Sequence, residues 1–193
     1  MIVRKTAVAG AFQFTSSVYP DPRGSFTAPF QEAEFNRVVQ EPFRVAQLNC
    51  SRSAQGVLRG LHYCKTPSPG QRKYVYCANG RALDVIVDTR EGSPTFGKWD
   101  AVEVGPHSSQ SVYFPAGVAH GFLALESNTL MVYMVSTPYE PEHEFAIDPL
   151  DPQLALPWPK HLSLIRSERD VTAPTLHEAA AQGLLPHFGD YSR

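Results

Sequence analysis

Cysteine is scarce in this chain: Cys50, Cys64 and Cys77 are the three in 193 residues. An odd number without paired spacing argues against a disulfide framework and fits a reducing cytoplasm. Long apolar runs are missing too. No stretch approaches the length of a membrane span, and the opening "MIVRKTAVAGAF" is too short in apolar length for a signal peptide. Neither sign of charge dominates: 17 Lys and Arg stand against 19 Asp and Glu, a formal net charge of −2. The overall balance therefore offers nothing to nucleic acid or to an anionic membrane, and neither is expected as a partner. A phosphate-bearing ligand would have to find a local group of cations. Internal repeats, low-complexity tracts and long linkers are also absent, and helical periodicity is rare.

What is present is the composition of an ordinary globular protein, 42% hydrophobic and 19% charged, long enough to bury a sizeable core. Seventeen prolines and thirteen glycines punctuate it. Between them lie short β-rich runs, "FRVAQLNCS", "KYVYCANG", "RALDVIVDTR", "KWDAVEV", "SVYFP", "HGFLALE" and "TLMVYMVST", a pattern that predicts a sandwich or barrel. In the third run Leu83, Val85 and Val87 alternate with Asp84, Ile86 and Asp88, so one face should be buried and the other partly polar. Two helices are expected, one in "QEAEFNRVV" and one in "TLHEAAAQGLL", the latter capped by Thr175 and stopped by Gly183. The expectation is one antiparallel all-β domain over residues 1–193. Its core would span about 20–160, with a small helical C-terminal tail over 161–193.

Chemistry concentrates in residues 56–80, "GVLRGLHYCKTPSPGQRKYVYCANG". The spacing Gly56-x5-His62, Lys73-x6-Gly80 and, downstream, Pro115-x-Gly117-x2-His120 resembles the frame of metal-binding cupins, which are double-stranded β-helix (jelly-roll) proteins. Cys64 stands where the second histidine of that frame would be, and Lys73 where its glutamate would be. An ammonium cannot donate to a metal and repels a divalent cation at close range, so no metal site is expected. Lys73 is instead suited to stabilise negative charge developing on oxygen. His62 is suited to general-base work, because an unperturbed imidazole titrates near cellular pH. A base and an oxyanion stabiliser can remove a proton beside a carbonyl, and an acid on the opposite face would make the process an epimerisation.

The blocks "GVLRGLHY", "GQRKYVYCANGRALDVIVDTREGSPTFGKW", "FPAGVAHGFLAL", "YEPEHE", "LDPQLALPWP" and "SERD" together resemble the dTDP-4-dehydrorhamnose 3,5-epimerase family, in its order, from about Pro20 to Pro174. "GSFTAPFQEAEF" is similar to relatives that modify deoxysugars for antibiotics. The resemblance implies a jelly roll acting on a dTDP-4-keto-6-deoxyhexose without metal, redox or organic cofactor, as a homodimer with exchanged N-terminal strands. It implies that His62 is the base, Asp170 its partner, Lys73 the cation at the C4 oxygen and Tyr133 the acid. Arg59 and Arg23 would meet the diphosphate, and Gln47 and Asn49 the nucleotide. Phe26 and Tyr139 would flank the thymine, while His120 and Glu144 would line the sugar pocket. Two departures touch substrate placement: Ala28 replaces a nucleotide-contacting glutamate, and Phe145-Ala146 replaces an Arg-Gly pair. They leave open whether C3, C5 or both are inverted. A 3,4-ketoisomerase, a nucleotide-sugar-binding protein without chemistry and a metal-dependent cupin oxygenase remain as alternatives. Arg72 and Lys65 are expected to be solvated surface cations.

Overall fold

The computed structural model describes every residue except Pro42, Ser68, Ser192 and Arg193. Two antiparallel sheets face one another. The six-stranded sheet runs β1 (Ile2–Lys5), β2 (Phe12–Thr15), β10 (Gln110–Phe114), β7 (Lys73–Asn79), β12 (Thr129–Val135), β5 (Gln47–Ser53). The five-stranded sheet runs β13 (Glu144–Ala146), β6 (Leu58–Cys64), β11 (Val118–Ala124), β8 (Ala82–Asp88), β9 (Trp99–Val104). Strands β3 (Val18–Asp21) and β4 (Gly24–Thr27) form a separate hairpin. Between the sheets lies an apolar core that includes Val75, Ile86, Val104, Val112, Phe114, Phe122 and Met131. This is the jelly-roll sandwich that short alternating strands predict.

Both outer faces of the sandwich are covered. Helix α1 (Glu32–Val39) packs Phe35 into an aromatic cluster with Phe14, Tyr74 and Tyr113 on the six-stranded sheet. Removing that ring from water contributes about 2–3 kcal/mol. On the other side, Leu176, Ala179 and Leu185 of the C-terminal segment pack with Leu61, Tyr63, Val85 and Val87. This corrects the expectation for β8. Its Val85 and Val87 meet the tail while Ile86 and Asp84 face inward, so both faces are buried. It also corrects the expected core limits of 20–160, because β1 and β2 complete a sheet and tail residues are buried in the second cluster.

The tail is built for docking. Helix α2 (Glu168–Val171) starts at Ser167, whose hydroxyl accepts from the backbone N–H of Asp170. Helix α3 (Leu176–Ala181) starts at Thr175, which forms a reciprocal capping box with Glu178. Gly183, at φ +67°, lets the chain turn after it, as the sequence predicts. Tyr63 and Lys65 on the barrel then donate to the carbonyls of Leu184 and Gly183. Arg72 departs from its expected solvated state: its side chain is 15% exposed and pairs with Glu41 at 2.9 Å, because the chain beyond α1 is laid over it.

Candidate active site

Arg59 and His62 both face a cavity between the two sheets. Three residues apart, they would point to opposite faces of an unbroken strand. The pairing with β11 shows why they do not. His62 stands opposite His120 and Arg59 opposite Phe122, so β6 carries one extra residue at that point, a bulge that re-aims one of the two side chains. Gly60 makes the bulge possible. It sits at φ +105°, and a Cβ there would lie 2.6 Å from the His120 carbonyl oxygen and 2.7 Å from the Gly121 Cα.

The cavity measures about 250 Å³. The five-stranded sheet gives it Arg59, His62, His120 and Glu144; the six-stranded sheet gives Asn49, Ser51, Lys73 and Tyr133. Tyr139 and Arg169 sit at its edge. His62 Nε2 lies 2.6 Å from Asp170 Oδ1, with the histidine side chain 31% exposed and the aspartate 3%. Burial works against the Asp170 charge, yet the hydrogen bond and charge of His62, helped by Ser167, bring its carboxyl below the ordinary carboxylate range. Carboxylate and imidazole thus form an oriented pair open to the cavity on the imidazole side.

Lys73 is half-buried, and its ammonium makes no hydrogen bond or ion pair with a described residue. Its neighbour Cys64 is held as a thiol, with burial and then the Glu144 charge pushing it up to about 11. Tyr133 rises from the same six-stranded sheet as Lys73, facing His62 across the cavity, its hydroxyl 3.0 Å from Ser51 Oγ. Burial pushes its phenol well above the usual range, the Ser51 hydrogen bond pulls the other way, and the Asp84 charge adds to the rise. The group is therefore a fully protonated acid at neutral pH. His120 stacks on Phe114 and presents its ring to the edge of Tyr133, with centroids 4.9 and 5.8 Å apart. Its Nε2 lies 2.6 Å from Asp84 Oδ2.

The other residues singled out from the sequence divide. Asn49 lines the cavity, while Gln47 stands behind it, donating to Asn49 Oδ1 at 2.6 Å and accepting from the Tyr139 N–H at 3.0 Å. Arg23 and Phe26 lie on the β3–β4 hairpin and line no part of this cavity. Arg23, 90% exposed, pairs with Asp21, and Phe26 is 66% exposed. Of the two departures, the Ala28 carbonyl accepts from Ser16, and Phe145 stacks on Tyr63 under the tail. Sequence reasoning missed Arg169, Ser51 and Asp84. Arg169 precedes Asp170 in "SERD" and has no ion pair among the described residues. Ser51 continues the alternation of Gln47 and Asn49 along β5, which was the available signal.

A sequence model of the dTDP-4-dehydrorhamnose 3,5-epimerase family matches residues 5–178. The chain belongs to that family. A dTDP-4-dehydrorhamnose 3,5-epimerase from Mycolicibacterium smegmatis is 43% identical over 190 residues, 98% of this chain and 93% of that protein. The crystal structure of NovW, a 4-keto-6-deoxy sugar epimerase from the novobiocin cluster of Streptomyces spheroides, is similar with a TM-score of 0.95. Identity there is 38%, covering 100% of this chain and 96% of NovW. ChmJ, a 3'-monoepimerase from Streptomyces bikiniensis solved with dTDP-quinovose, gives a TM-score of 0.91 at 40% identity, covering 95% and 92% of the two chains. This member of the epimerase family is accordingly an isomerase acting on dTDP-linked deoxysugars, built on a cupin-like jelly roll. Among its described residues no three His, Cys, Asp or Glu side chains cluster where they could hold a metal ion. No described helix is long and apolar enough to cross a membrane.

Proposed function

We propose that this epimerase inverts a dTDP-4-keto-6-deoxyhexose at C3, C5 or both by taking a proton onto one wall of the cavity and returning a different proton from the other. His62 takes the proton from a carbon beside the C4 ketone, and the C–H electron pair moves into an enolate. The Lys73 ammonium stabilises the charge that develops on the C4 oxygen. Tyr133 then delivers its own proton to the opposite face of the carbon, leaving a phenolate that recovers a proton from water, as the His62 imidazolium returns one. Asp170 orients His62. One observation carries the reading: base and acid stand on different sheets, His62 on β6 and Tyr133 on β12, with an ammonium that has no carboxylate partner among the described residues on the same cavity wall as the acid.

Arg59 and Arg169 are assigned to the diphosphate, because neither pairs with a carboxylate among the described residues and a guanidinium fork fits phosphate oxygens. His120 and Glu144 line the sugar, and Asn49, steadied by Gln47, meets the nucleotide beside Tyr139. A cavity of about 250 Å³ encloses only part of a nucleotide sugar. The rest is supplied in a homodimer, by the β3–β4 hairpin of a second copy carrying Arg23 and Phe26. The exposed Val18, Tyr19 and Phe26 side chains support that pairing, since a lone two-stranded hairpin is marginal in water. The whole chain acts as one domain, and its three unpaired cysteines suit the cytoplasm.

Turnover of dTDP-4-keto-6-deoxyglucose in deuterated water, followed by NMR of the product, tests the reading. Inversion with label at C3 or C5 is the expected result. A 3-keto product would identify a ketoisomerase, and nucleotide binding without exchange would identify a binding protein. Tyr133→Phe should still exchange label but invert poorly.

A further inference from the structure

We propose that Asp84 is a positioning residue for this epimerisation, acting through His120. It holds the Nε2–H of that ring so that Nδ1 is the atom offered to an oxygen of the sugar. The proposal rests on the reaction given above.

Asp84 is an anomaly in its surroundings. It is 1% exposed, on the inward face of β8, two residues from Ala82 and from Ile86, which belong to the apolar core between the sheets. A carboxylate in such a place costs far more than an apolar side chain unless every oxygen is satisfied. Here one oxygen is not. Oδ2 meets His120 Nε2 at 2.6 Å, whereas Oδ1 has no hydrogen-bond partner. A buried ionic group in such a place is weak evidence of a stabilising role, since a buried pair replaced as a whole by well-packed hydrophobes is often no less stable.

The histidine explains the carboxylate. His120 is the cross-strand neighbour of His62, one strand over on β11, and it lines the same cavity. Phe114 stacks on one side of the ring and Tyr133 stands at its edge, so its plane is fixed by packing. Packing alone cannot choose which nitrogen carries a proton. A carboxylate at Nε2 does choose, because it accepts and cannot donate. Nδ1 makes no hydrogen bond to a described residue, and it is not among the buried polar atoms left without a partner. It remains available to a ligand in the cavity.

The test uses the full-length protein with 15N-labelled histidine. The His120 resonances of the wild type should show Nε2 protonated, with or without dTDP. In Asp84→Asn, whose amide can donate to Nε2 instead, that preference should weaken or reverse. The kcat should fall roughly 100-fold or more, as when a tautomer-fixing aspartate is lost in other enzymes. Affinity for dTDP should stay within about threefold, since the nucleotide does not need His120. Asp84→Leu also removes the carboxylate, but it is bulkier and leaves the Nε2–H unpaired, so Asp84→Asn is the variant expected to stay folded; folded Asp84→Leu should show the same loss of kcat. Turnover by either variant within about threefold of wild type would overturn the proposal. So would an unprotonated Nε2 in the wild type. Should the wild type fail to epimerise at all, the assigned reaction is what falls, and the His120 tautomer still decides the role of Asp84.

Discussion

Two histidine–aspartate pairs of the same length, 2.6 Å, sit on neighbouring strands and face one cavity. His62–Asp170 joins the barrel to the tail: the histidine side chain is 31% exposed and its partner arrives from α2. His120–Asp84 lies wholly inside the barrel, at 6% and 1% exposure. Contact geometry alone would not tell them apart. Access to solvent does. A group that must receive a proton from carbon and then release it needs a route to water, which the first pair has and the second lacks. The second is arranged to keep its proton in one place. On the roles proposed above, one motif serves turnover in one setting and orientation in the other, and the two settings differ in burial.

Replacing the base should separate the pairs most sharply. His62→Ala is expected to lower kcat by about 10⁴-fold, at the upper end of what a general base contributes, with dTDP binding kept within about twofold. Loss of deuterium exchange at every carbon is the measurement; retained exchange would move the base elsewhere. Asp170→Asn should cost about 10²-fold in kcat, because the ring loses its orienting charge while His62 stays in place. A loosened tail probes the same pair from a distance. Thr175→Ala removes the capping box and about 1 kcal/mol of stability, read as a lower denaturation midpoint. Any fall in rate should come through Asp170 and leave the His120 resonances unmoved.

Stability against pH gives the smallest effects. The carboxyls of Asp170 and Asp88 lie below their ordinary range in the folded chain despite burial, through His62 and Arg90 respectively. Their contribution is present above about pH 4 and is lost as pH falls through the depressed folded values. Asp170→Asn should flatten that acid slope. Burial raises the phenols of Tyr63, Tyr74, Tyr113 and Tyr133. Above about pH 10 an unfolded chain releases protons that the folded chain keeps, so stability should decline there as pH rises. Urea midpoints across the range check both limbs.

Much of this was legible before any coordinates. The β-rich runs read from the sequence, those of β5 and of β7 to β12, stand as strands. The two longer helices are present too, because Thr175 and Gly183 carry local signals independent of the rest of the chain. Strand β6 was hidden by the Gly60 bulge, which breaks the period of two. The short strands β1 to β4 and β13 hold three or four residues each, too few for a period to show. For the site, His62 and Lys73 were singled out by the cupin frame and their chemistry, Tyr133 and Asp170 by the family blocks. Arg169 was missed although it adjoins one of them, and Asp84 because alternation made it look like the polar face of a half-exposed strand. Its partner lies 36 residues away, a distance that no local pattern reports. Arg23 and Phe26 were legible only by resemblance, since within a single chain they stand apart from the cavity.

The tail delivers Asp170 across an exposed connection at Lys160 and His161, yet it is gripped by Tyr63, Lys65 and the apolar contacts beneath α3. A single proteolytic clip at Lys160 would thus leave a two-fragment enzyme held together without a covalent link, by those contacts, by the backbone bonds of Ile165 to Gly56 and Leu58, and by the Arg166–Asp148 and His62–Asp170 pairs. Such a nicked protein would keep its rate when concentrated and lose it on dilution, as the piece that steadies the base drifts away from a barrel still able to grasp the sugar.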